Sequence, residues 1–288
     1  YTTDRIYNHL NASGRFRKAI NYDVSFSYQE QKRKLKSYNY EILEGVEHDV
    51  NKFEYESRKV YYSKGMFSNF INKNDVFDFQ FGYEIDQTKG FASTSAGEFF
   101  QKPIERKLGT YDFFASSEVN LNDKLSFRPG ARVMFSEQFD TQYVMSLSAK
   151  YLLGKQWELR AIVGTSPRLP NYEEMYSYFV DVNHNVQGNE NLNPEKGVSA
   201  FVHLKKNWNI GENNSLEQKV SLWKINLKDK IDLIVVEESP LKYQYRNIDN
   251  YDVQGVTYLN QFKVHQFMGG IGFTLTGIKQ DLSLIHIS

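Results

Sequence analysis

The sequence predicts an all-β protein: an antiparallel transmembrane β-barrel, present in part as an open curved sheet of about eleven strands. Three observations predict it. Apolar and polar residues alternate with period two over runs longer than a soluble strand needs. The links between those runs are long and short by turns. And a chain with a mean hydropathy of −0.58 nevertheless carries 15% aromatic residues (Tyr 20, Phe 21, Trp 3). A hydrophilic average with so many rings suits a surface that needs an apolar body and a polar tip, as at a membrane–water boundary.

The elements follow in order. Residues 1–12 carry the weak remnant of one strand. The first sustained run, near 18–32, sets Ile20, Tyr22, Val24, Phe26 and Tyr28 against Asn21, Asp23, Ser25 and Ser27. A strand is expected near 58–67. Near 75–87, Phe77, Phe79, Phe81, Tyr83 and Ile85 alternate with Asp78, Gln80, Gly82 and Glu84. Near 108–121 come Tyr111, Phe113, Ala115, Val119 and Leu121, with Ser117 as an exception. Leu125, Phe127, Ala131, Val133 and Phe135 mark 125–136; Tyr143, Met145, Leu147, Ala149 and Tyr151 mark 142–152; Trp157, Leu159, Ala161 and Val163 mark 156–164. Further strands are expected near 197–207, 215–236, 247–263 and 267–277. Such alternation gives one apolar and one polar face. Soluble strands are commonly about 5–6 residues long, whereas a tilted strand crossing a bilayer needs about 9–11. These runs are mostly of the second kind.

The links supply an independent criterion. Long ones are expected near 33–57, 88–107, 137–141, 165–196 and 237–246, and short ones near 68–74, 122–124, 153–155, 208–214 and 264–266. Short turns at one rim and long loops at the other are the habit of outer-membrane barrels, which places the long loops outside the cell. Asn122-Asp123 and Gly154-Lys155 have the chemistry of tight turns. Two places resist the pattern. Pro129 lies inside a strand, where it removes a ladder donor, so a bulge is expected at Pro129-Gly130. Alternation also fails from Lys224 to Asp232, where a bulge or register change is expected.

Composition removes whole classes of function. Lys+Arg and Asp+Glu both number 35, so no basic field invites nucleic acid. There is no cysteine, which excludes disulfide scaffolds, CxxC redox sites and cysteine-held metal centres. No apolar stretch is long enough for a membrane helix. The six histidines form neither HxH nor HExxH, and GxSxG, Walker and GxGxxG sequences are absent. Paired carboxylates such as Glu173-Glu174 and Glu237-Glu238 are adjacent rather than across a cleft. Neither an enzyme nor a bound cofactor or metal is expected.

A denser motif lies between 164 and 195. Gly164-Thr-Ser-Pro-Arg-Leu-Pro-Asn-Tyr-Glu-Glu-Met-Tyr176 is followed by Gly188-Asn-Glu-Asn-Leu-Asn-Pro-Glu195. This resembles the TonB-dependent outer-membrane receptors, in wording most like those of Bacteroidetes-type bacteria. The matching positions are Gly164, Ser166, Arg168, Pro170, Glu174, Tyr176, Gly188, Asn189, Leu192, Pro194 and Glu195. Support comes from Phe127 to Arg132, Asp229 to Ile234, Asn247 within Tyr245 to Ile248, and Gly255. The matches span about residues 125–260. Read physically, Arg168 and Glu174 flank a strand exit where charge stays solvated, Pro170 and Pro194 stop the ladder on either side of a loop, and Gly188-Asn189 supplies positive φ for a reversal. On that reading the motif is barrel architecture rather than a ligand site.

The resemblance implies a barrel of about 22 strands around its own plug domain. It implies a TonB-contacting region ahead of the plug and a cell outer membrane (Gram-negative) location, with lipid and lipopolysaccharide as neighbours. The implied activity is energised uptake of a ferric siderophore, cobalamin or haem, with the ferric siderophore preferred. Exterior loops of the family hold the ligand. Tyr172, Tyr176, Tyr178, Asp181 and His184 are therefore the candidate ligand residues, against the alternative of girdle tyrosines and a solvated loop histidine. The run Gln31-Lys-Arg-Lys-Leu-Lys36 is either a contact for lipopolysaccharide phosphates or a solvated loop base. The chain reads as a partial barrel over 1–281, truncated at both ends, with 282–288 resembling the translation of a sequencing adapter. A passive porin-like channel or adhesin explains the alternation but not the ordered motifs. A soluble β-sandwich requires Phe79, Phe113, Leu147 and Leu159 to converge on an interior.

Overall fold

A computed structural model describes residues 2–16, 20–69, 77–92, 104–180, 184–211 and 213–281. The polypeptide runs β1 (Thr2–Phe16), β2 (Ile20–Glu41), β3 (Val46–Asn69), β4 (Phe77–Ala92), β5 (Ile104–Asn122), β6 (Leu125–Ser136), β7 (Gln142–Gly154) and β8 (Trp157–Thr165). A helix α1 (Tyr172–Tyr176) and the short β9 (Tyr178–Val180) and β10 (Asn185–Gln187) follow. Then come β11 (Lys196–Asn209), β12 (Asn214–Glu238), β13 (Leu241–Val264) and β14 (Phe267–Asp281). Setting aside the two three-residue strands, the 14-stranded sheet has twelve long members among the described residues. Each pairs antiparallel with the next, β8 with β11 included. The weak signal at 1–12 is a full strand of 15 residues, all of it paired with β2.

Register explains why one face is apolar. Phe81 stands opposite Ala115, Ala115 opposite Ala131, and Ala131 opposite Met145. Leu147 faces Val163, Val163 faces Ala200, Val202 faces Leu222, and Leu222 faces Val256. A one-residue slip anywhere would send these side chains to the other face. They do not converge. Phe113 is 54% exposed, Leu147 45% and Leu275 68%, while Phe79 and Leu159 are half-buried beside their sheet neighbours. No sandwich interior exists among the described residues, and the apolar side chains form a bare outer face. Rings gather at its two edges: Tyr28, Tyr61, Tyr111, Phe135 and Tyr143 toward the long links, Trp157, Trp208, Phe262 and Phe267 toward the short turns. This is the girdle of a barrel wall.

The opposite face is polar and concave. Arg132 on β6 reaches Asp112 on β5 (3.2 Å) and Glu84 on β4 (3.5 Å), and Tyr62 on β3 donates to Glu84 (2.8 Å). Such contacts need neighbouring strands to tilt their side chains toward one another.

Several expectations need correction. Residues 33–57 are no loop: β2 and β3 continue as a hairpin closed by a turn at 42–45, where Gly45 takes φ +68°. The stretch 237–246 narrows to a tight turn between Glu238 and Leu241. β4 and β5 reach Ala92 and Ile104, and the link between them lies outside the described residues. The physical reason is shared. Above the membrane both faces of a strand meet water, so polar residues fill both and the alternation that marks a strand vanishes. At 25 residues, β12 spans about 80 Å at roughly 3.3 Å per residue, far more than an apolar band of about 25 Å.

The turns shift by one residue. Lys155 and Gln156 are the central pair of the β7–β8 hairpin, both at positive φ (49° and 64°), as mirror-image hairpin turns require. Asn122 precedes the β5–β6 turn and its side chain accepts from the backbone N–H of Lys124 and Leu125. Pro129 makes no bulge, since Ser116 opposite Gly130 and Val119 opposite Phe127 keep one register across it. Near 224–232 the irregularity is Asp229 at φ 56°, and the register of β12 shifts later, between Val235 and Glu237.

Candidate functional site at the mouth of the sheet

Among the described residues, the buried apolar side chains gather around the link from β8 to β11. Leu169, Pro170, Met175 and Leu192 on that link are buried, with Leu108 on β5, Ile231 on β12 and Ile248 on β13. The link continues the sheet before it departs from it. Ser166 N–H donates to Gly197 O, and Arg168 and Glu195 exchange both backbone hydrogen bonds (3.0 and 2.9 Å). Pro170 then ends the ladder, having no N–H to give.

Arg168 is the pin of this segment. Its Nε and Nη2 donate to both oxygens of Glu195 (2.9 and 2.6 Å), and its Nη1 donates to Glu174 (3.0 and 2.9 Å). Glu195 and Glu174 are only 9% and 12% exposed as side chains. Of the two charges expected to stay solvated at the strand exit, Arg168 keeps 42% of its side-chain exposure, whereas Glu174 is largely removed from water; the Arg168 fork suits both carboxylates. Glu195 also accepts from the backbone N–H of Ile231 (2.7 Å). Burial alone would push the Glu195 carboxyl up; Arg168 and the Ile231 N–H outweigh it and hold the carboxyl below its ordinary range. The Arg168 guanidinium is correspondingly harder to deprotonate, chiefly through its bonds to Glu195.

Helix α1 is one turn long and is held by its cap. The Asn171 side chain accepts from Glu174 N–H while Glu174 accepts from Asn171 N–H (2.9 and 2.8 Å), a reciprocal capping box. Glu174 thereby serves the cap and the pin at once. Beyond the helix, Gly188 N–H donates to Ser177 O and Asn189 N–H to Glu174 O. Neither Gly188 nor Asn189 has positive φ. Gly188 is needed for closeness instead: a Cβ there would lie 2.4 Å from Met175 O. Asn189 Nδ2 donates to Tyr245 O (3.0 Å). Asn247 Nδ2 donates to Asn193 O and Asp229 O, and its Oδ1 accepts from Asn193 N–H. The segment is thus fastened to β12 and β13, where β10 also adds a short parallel pairing at Tyr243 and Gln244. Leu192 is buried and Pro194 half-buried within it. Gly255 lies lower on β13 under the Trp223 ring.

The other side of the segment reaches across the concave face to β3, β4 and β5. Arg58 pairs with Glu173 (2.5 Å) and lies over the Tyr172 ring. Arg106 pairs with Glu190 (2.9 Å) and lies over the Tyr176 ring. The two rings meet edge to face at 5.2 Å. Burial pushes the Tyr172 hydroxyl up to about 12. Of the other candidate ligand residues, Tyr178 opens β9, and the His184 ring lies tilted against Phe179, 4.7 Å between centroids. The structure brings Tyr172 and Tyr176 together and pairs His184 with Phe179. Asp181 and the expected adapter residues 282–288 lie outside the described residues. The basic run near 31–36 belongs to β2, and its charges meet acids: Arg33 with Glu56, Lys34 with Asp4, Lys36 with Glu47.

Sequence reasoning missed Arg58, Arg106, Glu173 and Glu190. The first two lie at the margins of stretches taken for loops, and their relation depends on register across three strands. The Asn171 cap was legible, as an Asn three residues before a Glu.

The architecture defines part of a transmembrane β-barrel with a folded segment at one rim. The chain matches the family model described as TonB dependent receptor-like, beta-barrel, over residues 1–280, and it belongs to that family. No curated protein matches it. Among solved structures it is similar to the siderophore receptor PirA from Pseudomonas aeruginosa, at 14% identity and TM-score 0.67 over 95% of this chain and 48% of that one. It is similar also to a variant of the ferric enterobactin receptor PfeA from Pseudomonas aeruginosa, at 13% identity and TM-score 0.70 over 95% and 43%. A third is the copper transporter OprC, at 13% identity and TM-score 0.68 over 96% and 46%. At such identities the likeness is one of fold. The chain spans less than half the length of these structures.

Proposed function

We propose that the chain forms part of the wall and an exterior loop of a Gram-negative outer-membrane receptor that takes up a metal chelate by TonB-coupled transport. A ferric siderophore is the preferred ligand ahead of cobalamin or haem. The observation that carries this reading is the segment from β8 to β11, whose described residues 166–180 and 184–195 are pinned by Arg168 and laid across the polar concave face. A wide-bore channel for small solutes has no use for a shaped surface at its mouth, whereas a receptor for a bulky chelate does. The ligand-contacting stretch is this segment, with Tyr172, Tyr176, Tyr178, Asp181 and His184 as its candidate residues. The plug and the TonB contact belong to regions of the parent outside this chain. Lipid and lipopolysaccharide surround the outer face.

The neighbours' names support a metal-bearing cargo: PirA is called a siderophore receptor, PfeA a ferric enterobactin receptor, OprC a copper transporter. The test is uptake by cells with and without the complete gene, using radiolabelled ferric siderophores, haem and cobalamin in parallel, with and without a protonophore. Loss of one chelate's uptake on deletion and on de-energising is the expected result. Uptake that ignores the protonophore would point to a passive channel.

A further inference from the structure

Three residues on three adjacent strands stand in one row. Arg58 of β3 is opposite Gly90 of β4, and Gly90 is opposite Arg106 of β5. At about 4.8 Å between strands, the two arginines flank Gly90 at roughly 10 Å from each other. Each arginine receives one ring and one carboxylate from the loop: Arg58 takes Tyr172 and Glu173, Arg106 takes Tyr176 and Glu190. Gly90 leaves the gap between them. An added Cβ there would stand 2.8 Å from the Tyr172 hydroxyl oxygen and 2.4 Å from Ser57 O.

The structure assigns Arg58, Gly90 and Arg106 as a socket on the inner wall that seats α1 and its flank, so that the β8–β11 loop is latched across the mouth. The three act as positioning residues, since they set where Tyr172 and Tyr176 stand. The two ends of the loop are held differently. At the β11–β13 end the carboxylates Glu174 and Glu195 are nearly excluded from water. At the socket the acids Glu173 and Glu190 are 62% and 57% exposed. Exposed pairs are weak and screened by salt. The Arg168 end is therefore a hinge and the socket a releasable catch. This inference rests on the geometry alone and needs no assumption about the ligand.

The test uses the complete receptor in lipid nanodiscs with a spin label on Asn191→Cys, an exposed loop position in a chain without cysteines of its own. The readout is the mobile fraction of the label. Arg58→Glu and Arg106→Glu should each raise it about two- to fivefold, and more salt should raise it in the wild type. Gly90→Val should raise it about tenfold or more by unseating Tyr172. The charge-swapped pairs, Arg58→Glu with Glu173→Arg and Arg106→Glu with Glu190→Arg, should return the label toward its wild-type mobility. Heat-modifiable gel mobility checks that each barrel has folded. An immobile label in every folded single variant overturns the proposal, and so do swapped pairs as mobile as the single reversals.

Discussion

Arg168 shows how one side chain can carry a loop. It satisfies two carboxylates that have little access to water, and one of these also holds a backbone N–H of β12. Removing a partner from such an arrangement leaves uncompensated buried charge, which is worse than losing an exposed pair. Because the Arg168 side chain itself keeps 42% of its exposure, we expect Arg168→Gln to loosen the loop by about 1–3 kcal/mol. Protease cleavage between 171 and 190 in the micelle-embedded receptor would measure it. The same site predicts a pH response. Glu195 is held below its ordinary range, so its contribution is complete at neutral pH. That contribution declines as pH falls past the ordinary carboxylate value of about 4.3 and is gone below the depressed folded value. Cleavage of the wild-type loop should therefore rise on acidification, and Arg168→Gln should flatten that rise. A pH profile unchanged by the substitution would detach Glu195 from the clasp.

At the scale of elements, ladder register converts single glycines into packing sites. Tyr83 on β4 lies over Gly65 on β3, and a Cβ at Gly65 would fall 2.3 Å from the ring. Gly65→Val should cost about 1–3 kcal/mol through displacement of the ring, visible as a lower unfolding temperature by heat-modifiability. Little of this was readable from sequence. Period-two alternation located the membrane-crossing part of each strand because hydrocarbon on one side and water on the other enforce it. The hairpin extension of β2–β3 and the first residues of β13 escaped notice because nothing enforces it there, although β12 was expected almost to its full length. Lys34, Glu54 and Glu56 carry no hydrophobic signature, yet they are paired strand residues. The motif from Gly164 to Glu195 was legible as a sequence, but its partners across the concave face were not. Arg58, Gly90 and Arg106 are separated by 48 residues end to end, and only strand alignment makes them neighbours.

For the whole molecule, sidedness is the governing property. Leu147 and Ser146 are adjacent, yet Leu147 faces outward and Ser146 belongs to the polar face. In the complete receptor, Leu147→Arg should destabilise insertion by about 2–4 kcal/mol if it lies near the bilayer midplane, whereas Ser146→Arg should be nearly neutral. Folding into lipid vesicles at graded urea would separate them, and equal effects would reject the assignment of faces. The isolated chain makes a companion prediction. With the outer sides of β1 and β14 unpaired among the described residues and a bare outer face, it should aggregate in buffer without detergent, which light scattering would detect.

The loop from β8 to β11 touches β3, β4 and β5 at one end and β12 and β13 at the other. Geometrically it is a chord drawn across an arc. In a closed ring of strands a chord divides the opening into unequal windows. The width of each window at the rim is then set by where the chord lies, and not by the girth of the ring alone.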